Sequence, residues 1–187
     1  MTPPKNYSQL GFTLAEMVIA ITVSVLIVVT VSSAYTLSQR TYLGGESAAE
    51  ITQNGRVILE RMSREIRQAK EIVTELSTTS TGATSTIEFQ DGHDISTIHY
   101  IRYFKDGANV KREKIVYNFD ETATSVPWNA KDEYGNPPTP SIEESAIVGE
   151  YVNNLEIWGM PVINISLTLE KSGKTVDLKT AIFGRNL

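Results

Sequence analysis

Glu16 is the residue whose type and position pose a chemical question in this chain. It stands in Gly11-Phe12-Thr13-Leu14-Ala15-Glu16 and is followed by an apolar run, Met17 through Gln39, that carries no charge. A carboxylate at the edge of a membrane is costly unless a partner compensates it. A partner present only in an assembly turns that cost into a preference for the assembled state. The chemistry expected of Glu16 is therefore ion pairing between molecules, not catalysis.

Other candidates for chemistry are sparse. His93 and His99 are the chain's two histidines and there is no cysteine; neither has a further His or Cys beside it to make a metal set, so both are expected to be structural. The run Asp132-Glu133-Tyr134-Gly135-Asn136 has oxygen ligands and a glycine but not the spacing of a calcium loop. Asp120-Glu121 and Glu143-Glu144 read as solvated charge. No Ser/His/Asp order, phosphate loop or nucleotide fingerprint occurs, so neither an enzyme nor a cofactor or metal site is expected. Trp128 and Tyr134 are aromatics of the kind that anchor interfaces, unless they fold back onto the domain.

The elements that must position these residues follow from patterning. The length of 187 residues suits one compact domain and an appendage. The net charge of −5, with no basic cluster, argues against nucleic acid as the main partner. Without cysteine, the domain must fold with no disulfides. As a helix, Met17–Gln39 is about 35 Å long, enough to cross a hydrocarbon core of about 30 Å. The run is too long for a secretory h-region, and Val31-Ser32-Ser33-Ala34 is only a poor imitation of a cleavage site. A retained single-pass helix is expected across 12–39. Lys5 and the amino terminus favour a cytoplasmic start, with the C-terminal domain on the far side of the inner or cytoplasmic membrane.

From 40 to 76 the helical period continues. Ile51, Ile58, Met62, Ile66, Ala69, Val73 and Leu76 form one apolar stripe, and Glu60/Arg64, Arg61/Glu65 and Arg67/Glu71 are i,i+4 pairs read as a solvated face. Gly44, Gly45 and Gly55 weaken the helix by about 1 kcal/mol each against alanine, so a kink, bend or melted stretch is expected near 44–55. Residues 77–187 read as β. Strands are expected at 86–90, 97–104, 110–119, 151–158, 162–170 and 175–183, with a hairpin across Asp106-Gly107 and a proline-bearing surface excursion over 120–146. The fold class expected is α+β, a long N-terminal helix packed on an antiparallel sheet through its 51–76 stripe.

Gly11-Phe12-Thr13-Leu14-x-Glu16 ahead of an apolar helix resembles the class III signal of type IV prepilins and type II secretion pseudopilins. The resemblance implies a leader, residues 1–11, cut between Gly11 and Phe12 by a prepilin peptidase, and N-methylation of Phe12. It also implies a pilin-like fold and incorporation into a filament. Partners would be other pilin or pseudopilin subunits, an inner-membrane assembly platform and membrane lipid. Physical reasoning agrees. The freed amine of Phe12 would lie about 6 Å from Glu16 along the helix, on nearly the same face. In staggered, packed helices the carboxylate of one subunit meets the amine of its neighbour in a low dielectric. The segments Arg56–Ala69, Tyr100–Gly107 with Val110–Arg112, Val152–Trp158 and Lys179–Asn186 resemble J-type minor pseudopilins and W-type minor pilins, which implies a low-copy subunit that primes or caps a filament. The alternative from another class is a membrane-anchored extracytoplasmic binding domain that never polymerises.

Overall fold

The structure, a computed structural model, describes residues 11–93, 97–119 and 124–184. Most of the expected leader with Lys5, the Asp120-Glu121 pair and the Arg185-Asn186 ending lie outside the described residues. Two compact units divide the chain after Gly45.

One helix, α1, runs unbroken over Leu14–Gln68. Its first unit holds the apolar run, whose large side chains from Met17 to Leu37 are exposed. The helix is long and apolar enough to cross a membrane, by length and composition. Most serines and threonines inside the run do not spoil that property, because their hydroxyls are satisfied internally. Thr22 donates to the Ile19 carbonyl at 2.8 Å, Ser24 to Ala20 at 2.7 Å, Thr30 to Leu26 at 2.7 Å and Ser33 to Val29 at 2.8 Å. A hydroxyl bonded to its own helix does not need water.

In the second unit the stripe of α1 packs as expected, but the helix stops eight residues early. Ile51, Ile58, Met62, Ile66 and Ala69 are fully buried. The chain then turns into a short strand, β1 (Glu71–Ile72), beside β2 (Thr86–Gln90). The backbone N–H of Lys70 donates to Gln90 O at 3.0 Å, and that of Val73 to Glu88 O at 2.8 Å. Ile72, Val73 and Thr74 are β-branched, and the edge of β2 offers them ladder bonds that a solvated helix end does not. Ile72 and Leu76 still pack against the core, so their apolar character was read correctly and their conformation was not. Glu71 thereby leaves the helix, and the Arg67/Glu71 pairing with it.

Two antiparallel sheets cover the stripe, where a single sheet was expected. The first has the order β1-β2-β3-β4-β5, with β3 Tyr100–Asp106, β4 Asn109–Asn118 and β5 Thr139–Gly149. The second is β6-β7-β8, with β6 Val152–Trp158, β7 Val162–Lys171 and β8 Lys174–Phe183. The β3–β4 hairpin closes across Gly107-Ala108, and Gly107 takes φ 59°, which a two-residue hairpin turn requires. Strand β5 corrects the expected excursion. It is exposed along nearly its whole length, pairs with β4 at the sheet edge and carries Pro140 opposite Tyr117. An edge strand tolerates proline and shows no apolar face, so its sequence resembles a loop. Thr84 and Ile157 bond each other's backbones at 3.0 and 2.8 Å and join the sheets. The core unites the helix stripe with Ile87, Phe89 and Tyr103 from the first sheet and Leu155, Ile157, Ile163, Ile165, Leu167 and Leu169 from the second. Each such side chain contributes about 1.5–3 kcal/mol on burial.

Gly55 neither kinks nor melts α1. It is buried, and a Cβ built on it would lie 2.5 Å from Cδ1 of Leu178 and 2.7 Å from Cδ1 of Leu169. Its role is the close approach of the helix to the second sheet. Gly45 has nothing within 4 Å of that position. The two glycines therefore respond oppositely to alanine. Gly45→Ala should leave the urea midpoint of the detergent-solubilised protein unchanged or raised, since alanine favours a helix by about 1 kcal/mol. Gly55→Ala should lower stability by up to about 2 kcal/mol, because overpacking costs about 1–3 kcal/mol against that gain. A stabilising Gly55→Ala would refute the close-approach role.

Candidate functional site

Gly11, Phe12 and Glu16 lie at the start of α1. Gly11, Phe12 and Thr13 precede the first helical residue, and the Phe12 side chain is 85% exposed. Nothing lies within 4 Å of the space beside Gly11. The Gly11–Phe12 bond is thus presented on non-helical, accessible chain.

Glu16 is held by a neighbour that the sequence reading passed over. The backbone N–H of Thr13 donates to Glu16 Oε2 at 2.8 Å and the Thr13 hydroxyl donates to the same oxygen at 2.9 Å. In return the Glu16 N–H donates to Thr13 Oγ1 at 3.3 Å. Thr13 is the N-cap and Glu16 the third helical residue, which makes a reciprocal capping box. The pattern Thr-x-x-Glu was legible in the sequence. The box aims the carboxylate back toward Phe12. Its bonds fall on Oε2, so among the described residues Oε1 is left to a further donor.

The remaining sequence candidates take structural positions. His99 is buried, with Nε2 3.2 Å from Glu143 Oε2, and its carbonyl accepts the Asp91 N–H at 2.9 Å. His93 donates its backbone N–H to Asp91 Oδ1 at 3.0 Å in the turn after β2. Asp132 spends its carboxylate on its own loop, accepting the N–H groups of Tyr134 and Asn136, both at 2.8 Å, and the Asn136 amide at 2.9 Å. Those bonds, the Asn136 amide first, hold its carboxyl below the usual range. Among the described residues no three metal-ligating side chains converge. Trp128 folds back. Its N–H donates to the Tyr100 hydroxyl at 3.1 Å and its indole to Glu71 at 3.4 Å. Tyr134 is 87% exposed. Glu143 and Glu144 are not merely solvated: Glu143 lies 3.5 Å from Lys114 and Glu144 3.7 Å from Arg112.

A polar cluster between α1 and the first sheet escaped the sequence reading. Glu65 was placed on a solvated face, yet its side chain is 16% exposed and accepts the Tyr103 hydroxyl at 2.8 Å and Arg112 Nε at 3.0 Å. Arg61 completes the set at 3.4 Å. Burial first, and then the Glu65 charge, push the Tyr103 phenol well up, so it remains a donor. Of the three expected helical pairs, Arg61/Glu65 alone is in contact among the described residues. Only the sheet's register, which puts Tyr103 opposite Arg112, could have revealed the cluster. It fastens helix to sheet.

Comparison with protein families, with curated proteins and with solved structures finds no match for this chain.

Proposed function

We propose that this chain is a minor pilin or pseudopilin, a non-enzymatic subunit that assembles into, primes or caps a type IV pilus-like or type II secretion filament. A prepilin peptidase would cut after Gly11, and Phe12 would become a methylated N-terminus. Glu16 would then pair with the processed amine of Phe12 on a neighbouring subunit. The observation that carries the proposal is the conjunction at the mouth of α1: an accessible Gly11–Phe12 bond, and four residues on a carboxylate aimed back toward it, at the head of an uncharged, exposed helical run. Support also comes from the α+β architecture, in which a helix continuous with the apolar run packs on antiparallel sheets. The apolar helix would hold the subunit in the inner membrane before assembly, with the amino terminus cytoplasmic and the β-rich domain outside.

Mass spectrometry of the protein recovered from its native cell tests the processing. The N-terminal peptide is expected to begin at Phe12 and to weigh one methyl group more than its sequence. Functional protein that retains Met1 would refute the proposal, and would leave a membrane-anchored domain that does not polymerise.

A further inference from the structure

The second sheet ends in an open edge. Its order is β6-β7-β8, so one side of β8 pairs with β7 and the other has no strand beside it among the described residues. That open side borders a groove of about 890 Å³ whose far wall is the last turns of α1. Arg56, Arg64, Arg67 and Lys179 line it, with Glu60 as the one carboxylate among the lining residues. None of the four cations is ion-paired among the described residues, although Glu60 stands one turn from Arg64. The chain as a whole carries −5, so this positive groove stands against the overall balance. Its floor is apolar, with Leu59 buried at the base and Phe183 64% exposed at the rim.

We propose that this groove receives an extended, acidic segment of another protein, which adds to β8 as a ninth strand. Three features converge on that occupant. An open edge presents unpaired N–H and C=O groups at the spacing of a strand, so main-chain bonding supplies affinity. Side chains of an added strand alternate between two faces, so every second residue meets the guanidinium groups along α1 and the intervening ones meet solvent. Unpaired cations select carboxylates and repel basic segments, which gives the site a sign. Lys179 on β8 acts in both directions. A lysine at an edge discourages indiscriminate pairing of neutral strands, yet it complements an acidic one. The site lies wholly in the folded unit and does not depend on processing at Gly11 or on Glu16.

The test uses the full-length protein in non-ionic detergent. The probe is a fluorescent peptide as long as β8, ten residues, in which glutamate alternates with valine and threonine. Anisotropy is expected to show saturable binding that weakens about tenfold when salt rises from about 50 to about 500 mM. The double variant Arg64→Glu/Arg67→Glu should lose at least about tenfold in affinity, and so should Lys179→Glu, which probes the strand side of the groove. Methylating alternate amides of the peptide should abolish binding, because a methylated amide cannot join the ladder. Circular dichroism checks that the variants, all at exposed positions, keep their fold. Absence of binding would overturn the proposal. Equal affinity for a lysine-substituted peptide, or undiminished binding of the methylated one, would overturn it as well. Self-association of the parent protein that Arg64→Glu/Arg67→Glu removes would instead assign the groove to a second copy of the chain.

Discussion

Under the proposed filament role, Glu16→Val protein is expected to insert into the membrane at least as well as the parent and to vanish from filaments. Insertion should improve because an acidic residue costs about 2.5–3.5 kcal/mol at a bilayer centre, less near its edge, and valine removes that cost. Assembly should fail because the charge proposed to compensate a neighbour's amine is gone. A loss of a few kcal/mol per contact corresponds to about a hundredfold fall in incorporation. The measurement is the ratio of subunit in sheared filaments to subunit in the membrane, with the variant as the sole copy.

The capping box complicates that reading and supplies its control. Valine also removes the bonds from the Thr13 N–H and hydroxyl to Glu16 Oε2, and a lost cap costs about 1 kcal/mol. Glutamine serves a capping box nearly as well as glutamate but carries no charge. Glu16→Gln should therefore keep the helix start and still fail to assemble. Assembly of Glu16→Gln at the parental level, with Glu16→Val defective, would show that the helix start rather than the charge is what filaments need. The proposed ion pair would then be wrong.

A second large effect is expected at Glu65. Glu65→Ala leaves the Arg112 guanidinium, 11% exposed, with only Glu144 at 3.7 Å among the described residues, and leaves the Tyr103 hydroxyl without its acceptor. An uncompensated buried charge costs about 3–5 kcal/mol, and some solvent at Arg112 lowers this to about 2–4 kcal/mol. Glu65→Leu combined with Arg112→Leu should recover more than half of the loss, because replacing both partners of a buried pair by apolar groups is often close to neutral. Urea unfolding of the detergent-solubilised proteins measures both. A cost below about 0.5 kcal/mol for Glu65→Ala would mean that the cluster is solvated, as surface pairs of that worth are.

These two sites differ in how far the sequence could announce them. Gly11, Phe12 and Glu16 are local in the chain. A helix start, an apolar run and a carboxylate between them follow from nearest neighbours, and the Thr13 cap spans only three residues. The β3–β4 hairpin, the alternation of Ile163, Ile165, Leu167 and Leu169 and the helix stripe were legible for the same reason. Each is a periodicity of a single segment set by backbone geometry.

What the sequence could not decide were matters of what lies opposite. Val73 and Leu76 keep the helical period, but β2 draws the chain into a ladder with its edge bonds. Thr139–Gly149 has no apolar face to betray a strand, and pairing with β4 makes it one. Gly55 reads as a weak point in a helix until Leu169 and Leu178 are seen pressing on it. Glu65 reads as a surface charge until Tyr103 and Arg112 arrive from the sheet. By itself the sequence determined a helix that opens on a capped acidic start and an uncharged run, and an α+β class, because those depend on bonds and burial along one segment. The tertiary structure alone decided where the helix ends, how the strands divide into two sheets, which charges are buried and where an edge stays open, because each depends on residues far apart in the chain competing for the same backbone groups and the same space.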